Sequence, residues 1–228
     1  MSVAEPRSEY RLMSDSGLSF QIHSNGTLGR MEYRDMTLNL FPGNAMEAGP
    51  ANLYLRRLGE SPEVTALLGP ESPSEFTTGD GCLLARGRWG DVRYTVCLSL
   101  AEEAPAWFWR VLLENTGSES LDLDLIHTQD LALAAYGAIR LNEYYVSQYL
   151  DHCPLEHPQQ GWVVATRQNQ PMNGQHPWCL IGSLGQGVAY ATDALQVYGY
   201  SRCQGRLPEG LLRGLPGQRL QHEHAMTG

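Results

Sequence analysis

The densest run of hydrogen-bonding side chains in the sequence lies between Arg140 and Asp151, where Arg140, Asn142, Glu143, Tyr144, Tyr145, Gln148, Tyr149 and Asp151 crowd together. A shorter polar cluster, Arg167-Gln168-Asn169-Gln170-Pro171, follows it. Charged residues make up only 18% of the chain, so neither cluster reflects a general surplus of polar groups. Planar amide, guanidinium and carboxylate groups beside tyrosine rings suit a saccharide, which offers many hydroxyls and a weakly apolar ring face. The same residues could instead form two buried polar networks that pin a loop and a helix to the fold. Both readings stay open from the residues alone.

Other chemistries have less support. Of the seven histidines, His222 and His224 sit two apart, and His152, Cys153 and His157 lie near one another, but neither set has zinc-ligand spacing. There is no GxSxG elbow, no P-loop and no catalytic-cysteine context. Asp193 reads as a turn aspartate or a recognition residue. Paired carboxylates for glycoside chemistry must stand roughly 5 Å or roughly 6.5–9.5 Å apart. Asp130, Glu143 and Asp151 are the candidates, and sequence spacing does not set their separation. We therefore expect no catalytic residue and no metal site in this chain.

The 228 residues suffice for one large domain, and a hydrophobic fraction of 42% is that of an ordinary folded protein. A formal charge of -9 argues against nucleic acid or an anionic membrane as partner. The five cysteines are odd in number, widely spaced and in no CxxC pair, as in a reducing compartment. No secretory signal and no apolar run near the roughly 20 residues of a membrane span is visible. The expected location is the cytoplasm.

Along the chain, residues 1–17 read as a polar leader. Leu18–His23 alternates as a strand up to Asn25-Gly26, a strong hairpin signal. Strands are then expected at 27–33, 36–41, 52–58, 81–89 and 92–100, with a short edge strand near 64–68 inside loops. Residues 107–114, WFWRVLLE, look like a central strand. Further strands are expected at 121–128, 131–135, 161–166, 178–183, 188–192 and 195–198, with a new alternating run at 219–226. Residues 138–150 break the period of two and suit a short helix or ordered loop. The rhythm of turns predicts an all-β fold, two antiparallel sheets packed as a sandwich over 18–228.

The segments QDLALAAYGAIRLNEYYVSQYLDH, ATRQNQP and YATDALQVYG resemble the N-terminal region of 1,2-β-oligoglucan phosphorylases of glycoside hydrolase family 94. Cellobiose phosphorylase and cyclic β-1,2-glucan synthase are relatives. The resemblance implies a large antiparallel β-sandwich of the galactose-mutarotase-like super-sandwich type, truncated before a linker and an (α/α)6 catalytic barrel. It implies inverting phosphorolysis of β-1,2-glucooligosaccharides with inorganic phosphate as co-substrate, no other cofactor, and α-glucose 1-phosphate as product. The acid and the phosphate ligands would belong to the barrel. Arg140, Asn142, Glu143, Gln148, Tyr149, Asp151, Arg167, Gln168, Asn169 and Gln170 match family-typical stretches. They are our candidate saccharide contacts, at the junction with the barrel or the acceptor side of the cleft. Homodimer contacts are a further implied role. The competing expectation is a stand-alone carbohydrate-binding or structural sandwich.

Overall fold

In a computed structural model, which describes residues 9–79, 81–199, 209–221 and 226–227, strands account for 47% of the described residues and helix for about 10%. The strands lie in four antiparallel sheets, as expected of an all-β sandwich. In chain order they are β1 (Glu9–Met13), β2 (Leu18–His23), β3 (Leu28–Tyr33), β4 (Met36–Thr37), β5 (Asn52–Arg57), β6 (Glu63–Ala66), β7 (Ser74–Gly79), β8 (Cys82–Trp89), β9 (Val92–Leu100) and β10 (Trp107–Asn115). Then come β11 (Leu123–Asp130), helices α1 (Tyr136–Leu141) and α2 (Glu143–Gln148), β12 (Leu150–His157), β13 (Gly161–Gln168) and β14 (Trp178–Gly182). Helices α3 (Ala194–Tyr198) and α4 (Glu209–Arg213) and the short β15 (Met226–Thr227) complete the order.

The chain divides into two compact units. The first comprises residues 1–34, 42–52 and 66–121. Within it β1, β2 and β3 pair antiparallel, and a second sheet has the order β10-β9-β8-β7. Strict alternation builds its core. Val92, Tyr94, Val96 and Leu98 of β9 are buried, and so are Leu83 and Ala85 of β8. Phe20 meets Trp107 edge to face at 5.6 Å, a geometry that aligns the positive ring edge with the negative ring face.

Gly87 lies directly opposite Tyr94 in the β8–β9 register. A Cβ there would stand 2.3 Å from both the Pro73 carbonyl and the Tyr94 hydroxyl. That hydroxyl is held by Ser74 Oγ at 2.7 Å, so it cannot swing aside without losing a bond. Gly87→Ala is expected to cost roughly 1–3 kcal/mol through overpacking. A urea titration that leaves the midpoint unchanged would contradict this contact.

The second unit comprises residues 35–41, 53–65 and 122–228. It contains a sheet of order β15-β11-β5-β6 and another of order β12-β13-β14. Leu40, Ala132, Ala134, Ile139 and Val146 form a buried apolar cluster beneath α1 and α2. The buried Asp130 carboxylate secures the segment that supplies Leu40. Its Oδ2 accepts the backbone N–H groups of Leu40 at 2.8 Å and Phe41 at 2.6 Å.

Several expectations need correction. No strand was expected within residues 1–17, yet Glu9–Met13 forms β1 and pairs with β2 along its whole length. The aromatic strand β10 is an edge strand, not a central one. Its Trp107 and Trp109 are half-buried, whereas Phe108 and Leu112 on the other face are exposed. Residues 131–135 make no strand, since Leu133 takes a φ of 52° in the left-handed region and breaks the extended run. Only an isolated bridge from Ala134 to Thr37 remains.

Residues 195–198 belong to the helix α3, started by the Asp193 side chain, which accepts the Leu195 N–H at 2.8 Å, and ended at Gly199, φ 62°. Residues 188–192 are irregular, and 36–41 gives a strand only at its start. Strands β7 and β12 had no counterpart among the expected strands. Of the run at 219–226, residues 219–221 are not strand, 222–225 lie outside the described residues, and Met226 pairs with Asp130 of β11.

Candidate functional site

The first polar cluster folds as two short helices. α1 ends where Asn142 donates its N–H to the Ala138 carbonyl, and α2 begins at the same residue. Asn142 Oδ1 accepts the Tyr145 N–H at 2.9 Å, an N-cap that satisfies one of the helix's orphan donors. Ile139 and Val146 face inward, whereas Arg140, Asn142, Glu143 and Gln148 are exposed. Tyr149, at the end of α2, is also exposed. Its hydroxyl accepts from Tyr145 at 3.0 Å, and the two rings tilt together at 4.8 Å. The neighbouring Tyr145 hydroxyl lifts the Tyr149 pKa above its ordinary value.

The second cluster lies at the end of β13. Gln168 is buried. Its Nε2 donates to the carbonyls of Ala132 at 2.9 Å and Val146 at 3.1 Å, and its Oε1 accepts the Gln170 N–H at 3.0 Å. One side chain thus ties β13 to the segment after β11 and to α2. Asn169 is exposed, and its N–H donates to the Tyr149 carbonyl at 2.8 Å. Gln170 is half-buried.

The β12–β13–β14 register brings the two clusters together. Asp151 stands opposite Arg167, and Arg167 stands opposite Trp178. Residues paired across a sheet point to the same face, so carboxylate, guanidinium and indole form one row. Arg167 lies over the Trp178 ring with its central carbon 5.8 Å from the centroid. Asp151 is exposed and bonded to Arg219 at 2.5 Å. This row can stack against an apolar ring face and exchange hydrogen bonds at its rim.

Trp178 and Arg219 did not emerge from sequence reasoning. Trp178 opens a strand, and only its register reveals its neighbour, so no local signal marked it. The three candidate carboxylates have different surroundings: Asp130 is enclosed and engaged by backbone, Glu143 is exposed at the start of α2, and Asp151 is paired with an arginine.

Beneath the row, on the buried face of β12, His152 bonds Thr166 Oγ1 through Nδ1 at 2.8 Å. Its Nε2 has no partner. Burial, then the nearby Arg219, pulls its pKa from 6.5 down to about 4 against the opposing influence of Asp151 and Asp193. The unfolded chain takes up this proton near pH 6.5 and the folded chain only near pH 4. The unfolded state therefore binds more protons across that window, and stability falls as pH drops through it, by at most roughly 1.4 kcal/mol per pH unit. His152→Gln is expected to flatten that part of a stability-versus-pH curve measured by urea unfolding at pH 7 and 5. An unchanged slope would refute it.

Among the described residues, no group of three or more His, Cys, Asp or Glu side chains could hold a metal ion. His222 and His224 lie outside the described residues. Among the described residues, no helix is long and apolar enough to cross a membrane.

Residues 21–228 match the family described as the SOGP N-terminal domain. The chain belongs to this family. An SOGP N-terminal domain accounts for nearly its whole length. The chain is also 32% identical over 210 residues to a 1,2-beta-oligoglucan phosphorylase of Listeria innocua serovar 6a (strain ATCC BAA-680 / CLIP 11262). That alignment covers 91% of this chain and 18% of the relative, so the SOGP N-terminal domain here spans less than a fifth of that protein's length.

Proposed function

We propose that this domain is the non-catalytic N-terminal part of an inverting phosphorylase that cleaves β-1,2-glucooligosaccharides with inorganic phosphate, yielding α-glucose 1-phosphate. The observation that carries the reading is the similarity over 91% of the chain to a 1,2-beta-oligoglucan phosphorylase. The domain supplies a scaffold and one wall of the acceptor region, and the acid and phosphate ligands reside in the part of the enzyme outside these residues. Phosphate is a co-substrate and no further cofactor is needed. The setting we propose is the cytoplasm, which the free thiols of Cys82, Cys97, Cys153 and Cys179 suit. Contacts within a homodimer are a secondary role for the same scaffold.

Within the wall, the geometry favours the Asp151–Arg167 row, with Arg140, Asn142, Glu143, Gln148 and Tyr149 on the neighbouring helices, as the saccharide-facing groups. Gln168 has the opposite character, since its side chain is consumed by internal bonds. This favours, for that position, the reading of the cluster as a structural tie.

The test is phosphorolysis of sophorose-type oligosaccharides by the polypeptide that joins residues 1–228 to the rest of the enzyme. Glucose 1-phosphate should accumulate with that polypeptide and not with residues 1–228 alone. Arg167→Ala should raise KM for the acceptor about ten-fold, worth about 1.4 kcal/mol, at nearly unchanged stability. Absence of glucose 1-phosphate from the joined polypeptide would sink the proposed reaction. An unchanged KM would remove Arg167 from the wall.

A further inference from the structure

The outer face of the β12–β13–β14 sheet carries three aligned rows. Asp151, Arg167 and Trp178 form the first, Cys153, Ala165 and Leu180 the second, and Leu155, Val163 and Gly182 the third. The opposite face holds the buried His152, Val164, Thr166 and Cys179, so the sheet already rests on a core through that side. Yet the outer face is apolar too, with Trp178 at 55%, Leu180 at 66% and Leu155 at 49% exposure. Leu184 and Val188, in the loop after β14, are exposed as well. The loop that carries them is bonded to the start of β13, where Trp162 donates its N–H to the Gly187 carbonyl at 3.0 Å.

Strands with water on one face alternate apolar and polar residues, whereas strands covered on both faces read as near-continuous apolar runs. β13 begins GWVVA and β14 is WCLIG, both of the second kind. A contiguous apolar surface of this sort marks an interaction site.

We propose that this face is the seat of the remaining phosphorylase polypeptide, packed against rows two and three, with the Asp151–Arg167–Trp178 row forming the polar rim of the contact. The inference rests on the reading that these residues are part of a longer enzyme, and it assigns a surface to that relationship. Two observations select this occupant. The alignment leaves 82% of the relative outside the matched region, so a large partner surface is available. Rows two and three also offer aliphatic side chains and almost no hydrogen-bonding groups, which suits an apolar protein surface and not a hydroxyl-rich sugar.

Cys153 provides the test, because it is exposed in the middle row of the face. Cys179, a buried thiol pushed up to about 12 by desolvation, serves as the unreactive control. Alkylation by iodoacetamide is followed by peptide mass spectrometry in residues 1–228 alone and in the polypeptide that joins them to the rest of the enzyme. Cys153 should react readily in the former and about ten-fold or more slowly in the latter, as expected of a thiol that reacts only on local opening.

Leu180→Glu gives a second readout. It should leave the unfolding midpoint of residues 1–228 unchanged while restoring Cys153 labelling in the joined polypeptide. Equal labelling of Cys153 in both proteins overturns the proposal. Protection in residues 1–228 alone that grows with protein concentration also overturns it, and assigns the face to a second copy of the chain. Phosphorolysis is a separate readout: its absence with Cys153 protected would refute the proposed reaction and leave the docking surface standing.

Discussion

Asp130→Ala is expected to destabilise the second unit by roughly 3–5 kcal/mol, because one buried carboxylate oxygen serves two backbone donors at once. Oδ2 of Asp130 receives the N–H groups of both Leu40 and Phe41, and Leu40 N and the carboxylate are buried. Alanine leaves these donors without their acceptor where water cannot readily replace it. Each abandoned donor costs on the order of 1–3 kcal/mol, with more when the lost acceptor was charged. The Leu40 side chain also belongs to the apolar cluster beneath α1 and α2, so loosening of the 38–41 segment spreads to Ile139 and Val146. Unfolding followed by urea and circular dichroism should show the midpoint falling steeply. Asp130→Asn, which keeps one acceptor oxygen, should recover part of the loss. A change below about 1 kcal/mol for the alanine variant would show that the anchor is not needed.

Gln168→Leu is the second expected large effect, at roughly 2–4 kcal/mol. The substitution nearly preserves volume, so the loss isolates hydrogen bonding from packing. The Ala132 and Val146 carbonyls each lose a donor, and the Gln170 N–H loses its acceptor. For a protein of this size that corresponds to a fall in Tm on the order of 2–4 °C per kcal/mol. The measurement also separates a structural tie from a saccharide contact at this residue. A tie lowers Tm whether or not saccharide is present. A ligand contact would leave Tm alone and weaken saccharide binding, and that pattern would displace the structural account.

The contrast between Gln168 and Arg167 shows how far sequence reasoning reached. Adjacent residues in one polar cluster point to opposite faces of β13, one into a backbone network and the other onto an open row beside Trp178. Composition flagged both, but the parity that sorts them depends on register, a long-range property. Turn chemistry was far more legible. Asn25-Gly26 and Gly90-Asp91 mark real hairpins, and β2 begins and ends where alternation said it would.

Local signals were also present at α3, where Asp193 starts and Gly199 ends a short helix, but the apolar spacing of Leu195 and Val197 pointed to a strand. Five residues are too few for period alone to decide, and the cap residues held the better information. The edge position of β10 was hidden for another reason. Aromatic density resembles burial on both faces, and Phe108 and Leu112 on its exposed face lie outside that rule.

The Asp130 anchor has a consequence for the order of events during synthesis. It joins backbone groups to a side chain 89 and 90 positions further along the chain. A ribosome that has released residues 35–41 must add that whole intervening stretch before their acceptor exists. Residues 66–121 of the first unit emerge in the interval. At elongation rates of roughly 5–20 residues per second, the segment waits several seconds with Leu38, Leu40 and Phe41 uncovered. Translation thus orders the two units in time: all of the first has been made before the last and largest piece of the second, residues 122–228, is added.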